Sequence, residues 1–361
     1  MARDNIEKKL DEALAEILVL YDLPGLEVCA KVGDLTYKRA FGYKNFETKE
    51  SLKETDYFHM CSVSKLFTGA GILQLCEKGK LSLEDRLAEI LPQTSIDDQR
   101  YKKITIKEML THTSGIGDVE DYQWDTPRLD EKALMDYAKS DEVAKSKLLW
   151  DPEEGRFQYS NIAYELLGAI IEEVSGMSFE NYIEKNILEP LGMDASTFLT
   201  FTRGNGSLDL STLSQGGMAM PHRKNKEKHI ILESCYPYNR QHGPSSTLTS
   251  NLDDMEKWAK AHVQRKVFSS NTYDKLWKKY ATVPNNGEAM GLGWFIREQE
   301  GYNLYGHEGT DDGFRASFWI CPQVEGYVIV TTNISRGSAK RINKKIFQMM
   351  IEESRYLDII V

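Results

Sequence analysis

Ser62 and Lys65 stand three positions apart at the head of an apolar run that continues through Leu66, Phe67, Ile72, Leu73 and Leu75. If that run is helical, residues three apart share a face, so the Lys65 amine can reach the Ser62 hydroxyl. A serine hydroxyl attacks poorly until a neighbour takes its proton, and an amine held in a partly desolvated cleft loses some of its preference for charge. Lys65 is thereby a candidate base and Ser62 a candidate nucleophile. The start of the helix would also aim backbone N–H groups and a partial positive charge at a reacting carbonyl oxygen. Serine followed by lysine at this spacing arises by chance, and most lysines are solvated. Here Lys65 is the only formally charged residue between Tyr57 and Cys76, and an isolated lysine in such a run needs a reason.

Two further tripeptides carry the right chemistry. Tyr159-Ser160-Asn161 precedes an apolar helical pattern (Ile162, Leu166, Leu167, Ile170, Val174), so it falls at a loop-to-helix junction. There a tyrosine could pass protons and an asparagine amide could hold a carbonyl. His307-Glu308-Gly309 lies where the chain turns into its last strands, and a strand glycine often marks close approach of a ligand to the backbone. Each motif is weak by itself; Tyr43-Lys44-Asn45 repeats the YxN pattern in the wrong order.

Taken in order, SxxK, YxN about a hundred residues on, and HxG about a hundred and fifty further resemble the penicillin-binding protein and class C β-lactamase superfamily. That group includes D-Ala-D-Ala carboxypeptidases, D-aminopeptidases and β-lactamase-like esterases. The likeness runs through most of the chain: LTHTSG at 110–115, FQYSNIAYELLG at 157–168, LEPLGM at 188–193 and GLGW at 291–294 resemble further family segments. The resemblance implies a β-lactamase/transpeptidase-like fold and a serine hydrolase working through a covalent acyl-enzyme, with no cofactor and no metal. It implies Ser62 as nucleophile and Lys65 with Tyr159 as proton carriers. Asn161 would orient the substrate, His307 would stand where true β-lactamases have lysine, and Gly309 would belong with them to the substrate and oxyanion side of the site. The backbone N–H groups of Ser62 and Thr310 would hold the oxyanion. HEG in place of KTG points away from typical β-lactamases, toward peptidases and esterases, and the lack of a secretory signal in the sequence as it stands favours a small ester, an amide or a D-amino acid peptide as substrate. A wall-directed carboxypeptidase, a β-lactamase or a non-catalytic penicillin-binding sensor is the alternative, with a covalent β-lactam as ligand. Glu308 would repel an anionic substrate if it faced the pocket, though strand alternation would turn it away. A metal site built from His307, Glu308, Asp311 and Asp312 lacks any HExxH or spaced histidine cluster.

The elements that must position these groups follow from periodicity. Ile6, Leu10, Ala13, Leu14, Ile17 and Leu18 predict an amphipathic helix over residues 4–21, lying on a sheet. Strands at 26–32 and 36–42 flank a Gly33-Asp34 turn suited to a hairpin. From Ser62 to about 190 the pattern is mainly helical, with a capping box at Thr105 and Glu108 and stops at Gly115, Gly176 and Pro190. Residues 200–245 read as long loops. A helix at 252–263, strands at 292–297, 314–320 and 327–334, and a helix over about 339–353 complete the chain. The expected class is therefore α/β (α+β): an antiparallel sheet flanked by amino- and carboxy-terminal helices, with a mainly helical lobe inserted. One catalytic unit spans 1–361, its α/β lobe from about 1–61 and 285–361 and its helical lobe about 62–284.

Composition excludes other classes. With 41% hydrophobic residues, 28% charged and 10 prolines in 361 residues, a sizeable core is expected and disorder is not. A net charge of −10 opposes counterion-release binding, so nucleic acid is not an expected partner; a small acyl compound or short peptide is. Five cysteines without CxxC pairing read as buried reduced thiols. The longest apolar stretch, 67–76, is about half a membrane span. The charged amino terminus lacks the apolar core of a secretory signal, so the sequence as it stands reads as cytoplasmic, or extracytoplasmic if a leader has been removed.

Overall fold

A computed structural model describes residues 2–94, 96–201 and 217–360. Helix α1 (Ala2–Leu20) buries Ile6, Leu10 and Leu14 on the face their spacing predicts. Strands β1 (Gly25–Val32) and β2 (Leu35–Asn45) then form the expected antiparallel hairpin. Its turn uses Gly33 at φ +54°, a conformation glycine adopts without Cβ strain. These strands join β3 (Glu50–Ser51) and six strands from the far end of the chain. The six are β4 (Ala281–Thr282), β5 (Ala289–Met290), β6 (Phe295–Gln299), β7 (Tyr302–Asp311), β8 (Phe314–Cys321) and β9 (Gly326–Thr332). The sheet order is β3-β2-β1-β9-β8-β7-β6-β5-β4, and every neighbouring pair is antiparallel. The two ends of the chain thus meet at β1 and β9, where Val28 stands opposite Val330.

Both faces of this sheet are covered, and side-chain alternation divides them. On β1, Leu26, Val28 and Ala30 pack toward α1 and the last helix, while Cys29 faces the rest of the chain. On β8, Trp319 and Cys321 go one way, and Phe314, Ala316, Phe318 and Ile320 the other. The last helix runs from Ala339 to Ile360, longer than its sequence pattern suggests, and seats Ile342, Ile346 and Met350 on the sheet.

The opposite face carries the middle of the chain. Helix α2 (Ser64–Glu77) has Leu66, Phe67, Ile72 and Leu75 buried on all sides, so it is a core helix that meets solvent only in its last turn, at Glu77. Helix α3 (Asn161–Ser175) starts at a Ser160 cap, whose Oγ accepts from the Ala163 N–H, and ends at Gly176 at φ +70°. Helix α4 (Leu252–Val263) lies where its pattern places it; the final helix, Ala339–Ile360, is α5. The Thr105–Glu108 capping box forms in both directions.

Four details differ from the sequence expectations. The helix before Gly115 already ends at Leu110. Pro190 does not stop a helix but opens a 3-10 turn, Glu189–Leu191, which Gly192 closes in the left-handed region, because proline's fixed φ suits a first helical position. Residues 291–294 form a bend, and the strand begins at Phe295. The ten-residue strand β7 was legible only at His307, since Gly306 and Gly309 interrupt its alternation. Within the 200–245 segment, 202–216 lie outside the described residues; beyond them His222–Lys224 pairs with Ile230–Leu232. All five cysteines are free thiols, but only Cys29, Cys61 and Cys321 are buried as expected; Cys76 and Cys235 are half-buried. Among the described residues no helix is long and apolar enough to cross a membrane.

Candidate active site

Ser62 occupies a 3-10 turn, Cys61–Val63, that runs directly into α2. The turn is strained: Cys61 has φ +50°, a left-handed conformation that costs a non-glycine residue on the order of 1–3 kcal/mol. Ser64 offsets this by donating to the Cys61 carbonyl at 2.6 Å while accepting from the Leu248 N–H at 3.0 Å. Strand β7 lies against the same turn. A Cβ at Gly309 would stand 2.7 Å from the Met60 carbonyl oxygen and 2.9 Å from Cys61 Cβ, so only glycine lets strand and turn approach this closely. That approach brings Thr310 to the same cleft as Ser62.

Lys65 lies beneath Ser62 with no exposed surface. Its Nζ meets three acceptors: Ser62 Oγ at 3.3 Å, Asn161 Oδ1 at 2.5 Å and the Ser245 carbonyl at 2.8 Å. Burial lowers its pKa from the usual 10.5 to about 8, against the upward pull of Glu165, Asp118 and Asp311. As an ammonium it donates to all three acceptors. As a neutral amine it donates to Asn161 and Ser245 and turns its lone pair to the Ser62 hydroxyl. The two protonation states therefore share one geometry.

Asn161 is fixed in turn by Asp118, whose Oδ1 accepts from its backbone N–H at 2.8 Å and its side-chain Nδ2 at 2.9 Å. Tyr159 stacks on His112 with ring centroids 4.3 Å apart, and its ring lies 4.9 Å from Lys65 Nζ. Its buried hydroxyl makes no hydrogen bond of ordinary geometry, yet it stands close enough to Ser62 for that contact to lower its pKa against a larger upward push from burial. His112 receives the Ser160 N–H on Nδ1 at 3.1 Å, which locks the loop-to-helix junction of α3. His307 pairs Nδ1 with the Glu308 carbonyl at 2.7 Å, so the ring carries its proton there and leaves Nε2 as a buried acceptor without a partner. Burial, reinforced by the Lys65 charge, depresses its pKa to about 3.

The structure therefore brings Ser62, Tyr159, Asn161, His307 and Thr310 onto the wall of one cleft of about 450 Å³, with Lys65 below and Gly309 behind. Aromatic groups Tyr122, Phe157 and Phe295 line the rest, with Lys340 and Glu288 paired at 2.7 Å among them. Glu308 also borders the cleft, but its carboxylate accepts from Trp319 Nε1 at 2.7 Å, on the side of the sheet that packs under α5. Asp311 joins His59 instead of a cluster with His307, its Oδ2 lying 2.9 Å from His59 Nε2. With Cys61, that pair is the one group of three potential metal ligands within mutual reach among the described residues.

Several groups at the site were not singled out from sequence. His112 and Phe157 lay inside segments already matched to the family, so their motif context could have flagged them. Glu165 shares that context, standing in the same 157–168 segment as Phe157. Asp118, Tyr122, Ser245 and Phe295 carry no local signal; they arrive from separate elements.

Comparison with known proteins bears on the family and the fold. Penicillin-binding protein 4* of Bacillus subtilis (strain 168) is 26% identical over 330 residues, covering 86% of this chain and 68% of that protein. The octameric penicillin-binding protein homologue from Pyrococcus abyssi superposes with a TM-score of 0.79 at 27% identity, covering 96% of this chain and 77% of the other. The D-amino acid amidase from Ochrobactrum anthropi SV3 shares the fold, with a TM-score of 0.76 at 17% identity over 98% of this chain and 100% of the other. The Beta-lactamase family model matches residues 6–348, and with the penicillin-binding protein fold this places the chain in the β-lactamase family, within the serine β-lactamase and penicillin-binding protein superfamily.

Proposed function

We propose that the protein is a serine hydrolase that cleaves a small ester, an amide or a D-amino acid peptide through an acyl-enzyme on Ser62. The family supports serine hydrolase activity in general. The observation that carries the reading further is the buried Lys65 amine, with a pKa of about 8 and its third contact on the Ser62 hydroxyl. Neutral Lys65 takes the Ser62 proton as Oγ bonds to the substrate carbonyl carbon, and the N–H groups of Ser62 and Thr310 hold the oxyanion. Tyr159 passes a proton to the departing alcohol or amine, the carbon–heteroatom bond breaks, and Ser62 keeps the acyl group. Water then adds to the ester carbon, giving its proton back through the same groups, and Ser62 is released with the carboxylic acid. Asn161, held by Asp118, orients the scissile carbonyl or amide. His307, neutral and with Nε2 free to accept, offers a hydrogen-bond acceptor where a lysine would offer charge.

A cleft of about 450 Å³ walled by Tyr122, Phe157, Tyr159 and Phe295 suits a small acyl group with an apolar or aromatic side chain. A structural neighbour whose complexes hold phenylalanine amide and D-phenylalanine agrees with that size. The test is labelling of Ser62 by an active-site fluorophosphonate, together with turnover of p-nitrophenyl butyrate, a D-alanyl anilide and a chromogenic cephalosporin. Ser62→Ala is expected to abolish labelling and to cost on the order of 10⁴-fold or more in turnover. Turnover retained by that variant would overturn the proposal, and a stable penicilloyl adduct without any hydrolysis would replace it with a binding role.

A further inference from the structure

Behind Lys65, on the side away from the substrate, the structure assembles a second polar group that the proposed reaction steps do not use. Glu165 lies four residues beyond Asn161 on α3, one helical turn along the same face, and is fully buried. Its Oε1 accepts from Ser245 Oγ at 2.6 Å and lies 3.1 Å from His242 Nδ1. Burial pushes the Glu165 pKa up, against the pull of His242, Ser245 and Lys65. Once ionised it can only accept, so His242 then carries its proton on Nδ1, and Nε2 accepts from Gln241 Nε2 at 3.0 Å. Ser245 is the residue whose carbonyl receives Lys65 Nζ. The aromatic rings of Tyr122, Trp124 and Tyr137 enclose the His242 imidazole, with centroids 5.0, 5.9 and 4.9 Å away. A buried carboxylate with two charge-assisted donors and a lysine nearby carries an arrangement too costly to be filler.

We propose that Glu165, held by His242 and Ser245, is a positioning residue for the catalytic lysine: it fixes the Ser245 carbonyl against the Lys65 amine and supplies the negative charge that sets when that amine loses its proton. The inference rests on the reading of Ser62 and Lys65 as nucleophile and base. Lys65 is faced by Asp118 from the loop before α3, by His112 from the loop after 106–110, by Cys61 from the nucleophile turn, and by His307 and Asp311 from β7. Tyr159 and Tyr164 present their rings to it at 4.9 and 5.5 Å. Of the carboxylates in this shell, Glu165 acts on Lys65 most strongly, and Lys65 is the one lysine or arginine among the groups acting on it. Asp118 and Asp311 act on the amine in the same direction but less strongly, while holding Asn161 and His59, so Glu165 is the carboxylate whose loss should move the amine most.

The experiment follows the ε-carbon signals of ¹³C-lysine-labelled protein against pH, with Lys65 assigned by Lys65→Arg, alongside the pH dependence of kcat/KM and of fluorophosphonate labelling. Glu165→Gln keeps the side-chain shape and removes the charge. It is expected to lower the Lys65 midpoint by roughly one pH unit or more, to move the acid limb of both profiles by the same amount, and to leave KM nearly unchanged. Glu165→Asp should restore most of the shift. A packing role would change stability and signal amplitude without moving the midpoint, and an unmoved midpoint in folded Glu165→Gln overturns the proposal. Should that variant not fold, the Glu165 carboxyl signal of the unaltered protein decides: ionised while Lys65 is charged upholds the proposal, and protonated throughout overturns it. Failure of Ser62 to react with fluorophosphonate while the midpoint still shifts would overturn the hydrolase reading and leave the electrostatic coupling standing.

Discussion

Strand β7 carries a buried cationic centre on each of its faces, and they behave differently. On the side of His307, Lys65 is buried among neutral acceptors, opens to a substrate cleft through Ser62, and has its pKa brought down to about 8. On the side of Glu308, Arg297 donates Nη2 to Asn343 Oδ1 at 2.7 Å and lies 4.0 Å over the Trp319 ring, with Nη1 3.6 Å from Glu308 Oε1. Burial lowers its pKa too, but only to about 10, so it stays charged at neutral pH. Burial of a charge therefore does not by itself mark chemistry. What separates the two is whether the protein leaves the proton free to move near neutral pH and gives it somewhere to go.

The sharpest way to break the contrast is to remove each cation. Lys65→Met is expected to cost on the order of 10³-fold or more in kcat/KM, read with the best ester of the panel, whereas Arg297→Met should retain fluorophosphonate reactivity. Arg297→Met should instead lose about 1.5–3 kcal/mol in urea unfolding, because the buried Asn343 oxygen loses its charged donor and the half-buried Glu308 its neighbouring cation. If the arginine variant lost activity and kept its stability, the division between the faces would be wrong. A pH series sharpens it further. The folded-state pKa of Lys65 lies below its unfolded value of 10.5, so between about 8 and 10.5 the unfolded chain holds a proton that the folded one has released. Stability attributable to Lys65 must then rise with pH across that window, and the cost of burying its charge is present in full below it. The difference in unfolding free energy between the unaltered protein and Lys65→Met should climb by about 3 kcal/mol from pH 7.5 to 10.5. A flat difference would mean that Lys65 is not depressed. Activity should rise through pH 8 as the amine turns into a base, measured as the acid limb of kcat/KM. The smallest effect belongs to a residue outside both centres: Thr105→Ala removes the capping-box acceptor and should cost about 1 kcal/mol in stability with no change in kcat/KM.

Much of the site was legible because its parts are local. Ser62 and Lys65 are joined by helix geometry, Tyr159 and Asn161 by one helix start, and His307 and Gly309 by one strand. The amphipathic spacing of α1, the Gly33 turn and the capping box at Thr105 likewise needed only neighbours in sequence. The order of the three motifs then tied them to a family, and through it to the fold. Boundaries failed where composition masked periodicity: β7 was hidden by its glycines, and Pro190 passed for a stop because proline both opens and ends helices.

The amino-acid sequence by itself determined which side chains could attack, carry a proton or hold a carbonyl, since those depend on residue type and on spacings that a helix or strand fixes over three or four residues. Only the tertiary structure decided how those groups are tuned. The acceptors around the Lys65 amine come from Asn161 and Ser245, the charges acting on it come from Asp118, Glu165 and Asp311, and the side to which Glu308 turns depends on Trp319. Desolvation and electrostatic balance depend on distances between elements far apart in the chain, and packing sets those distances where local propensity cannot.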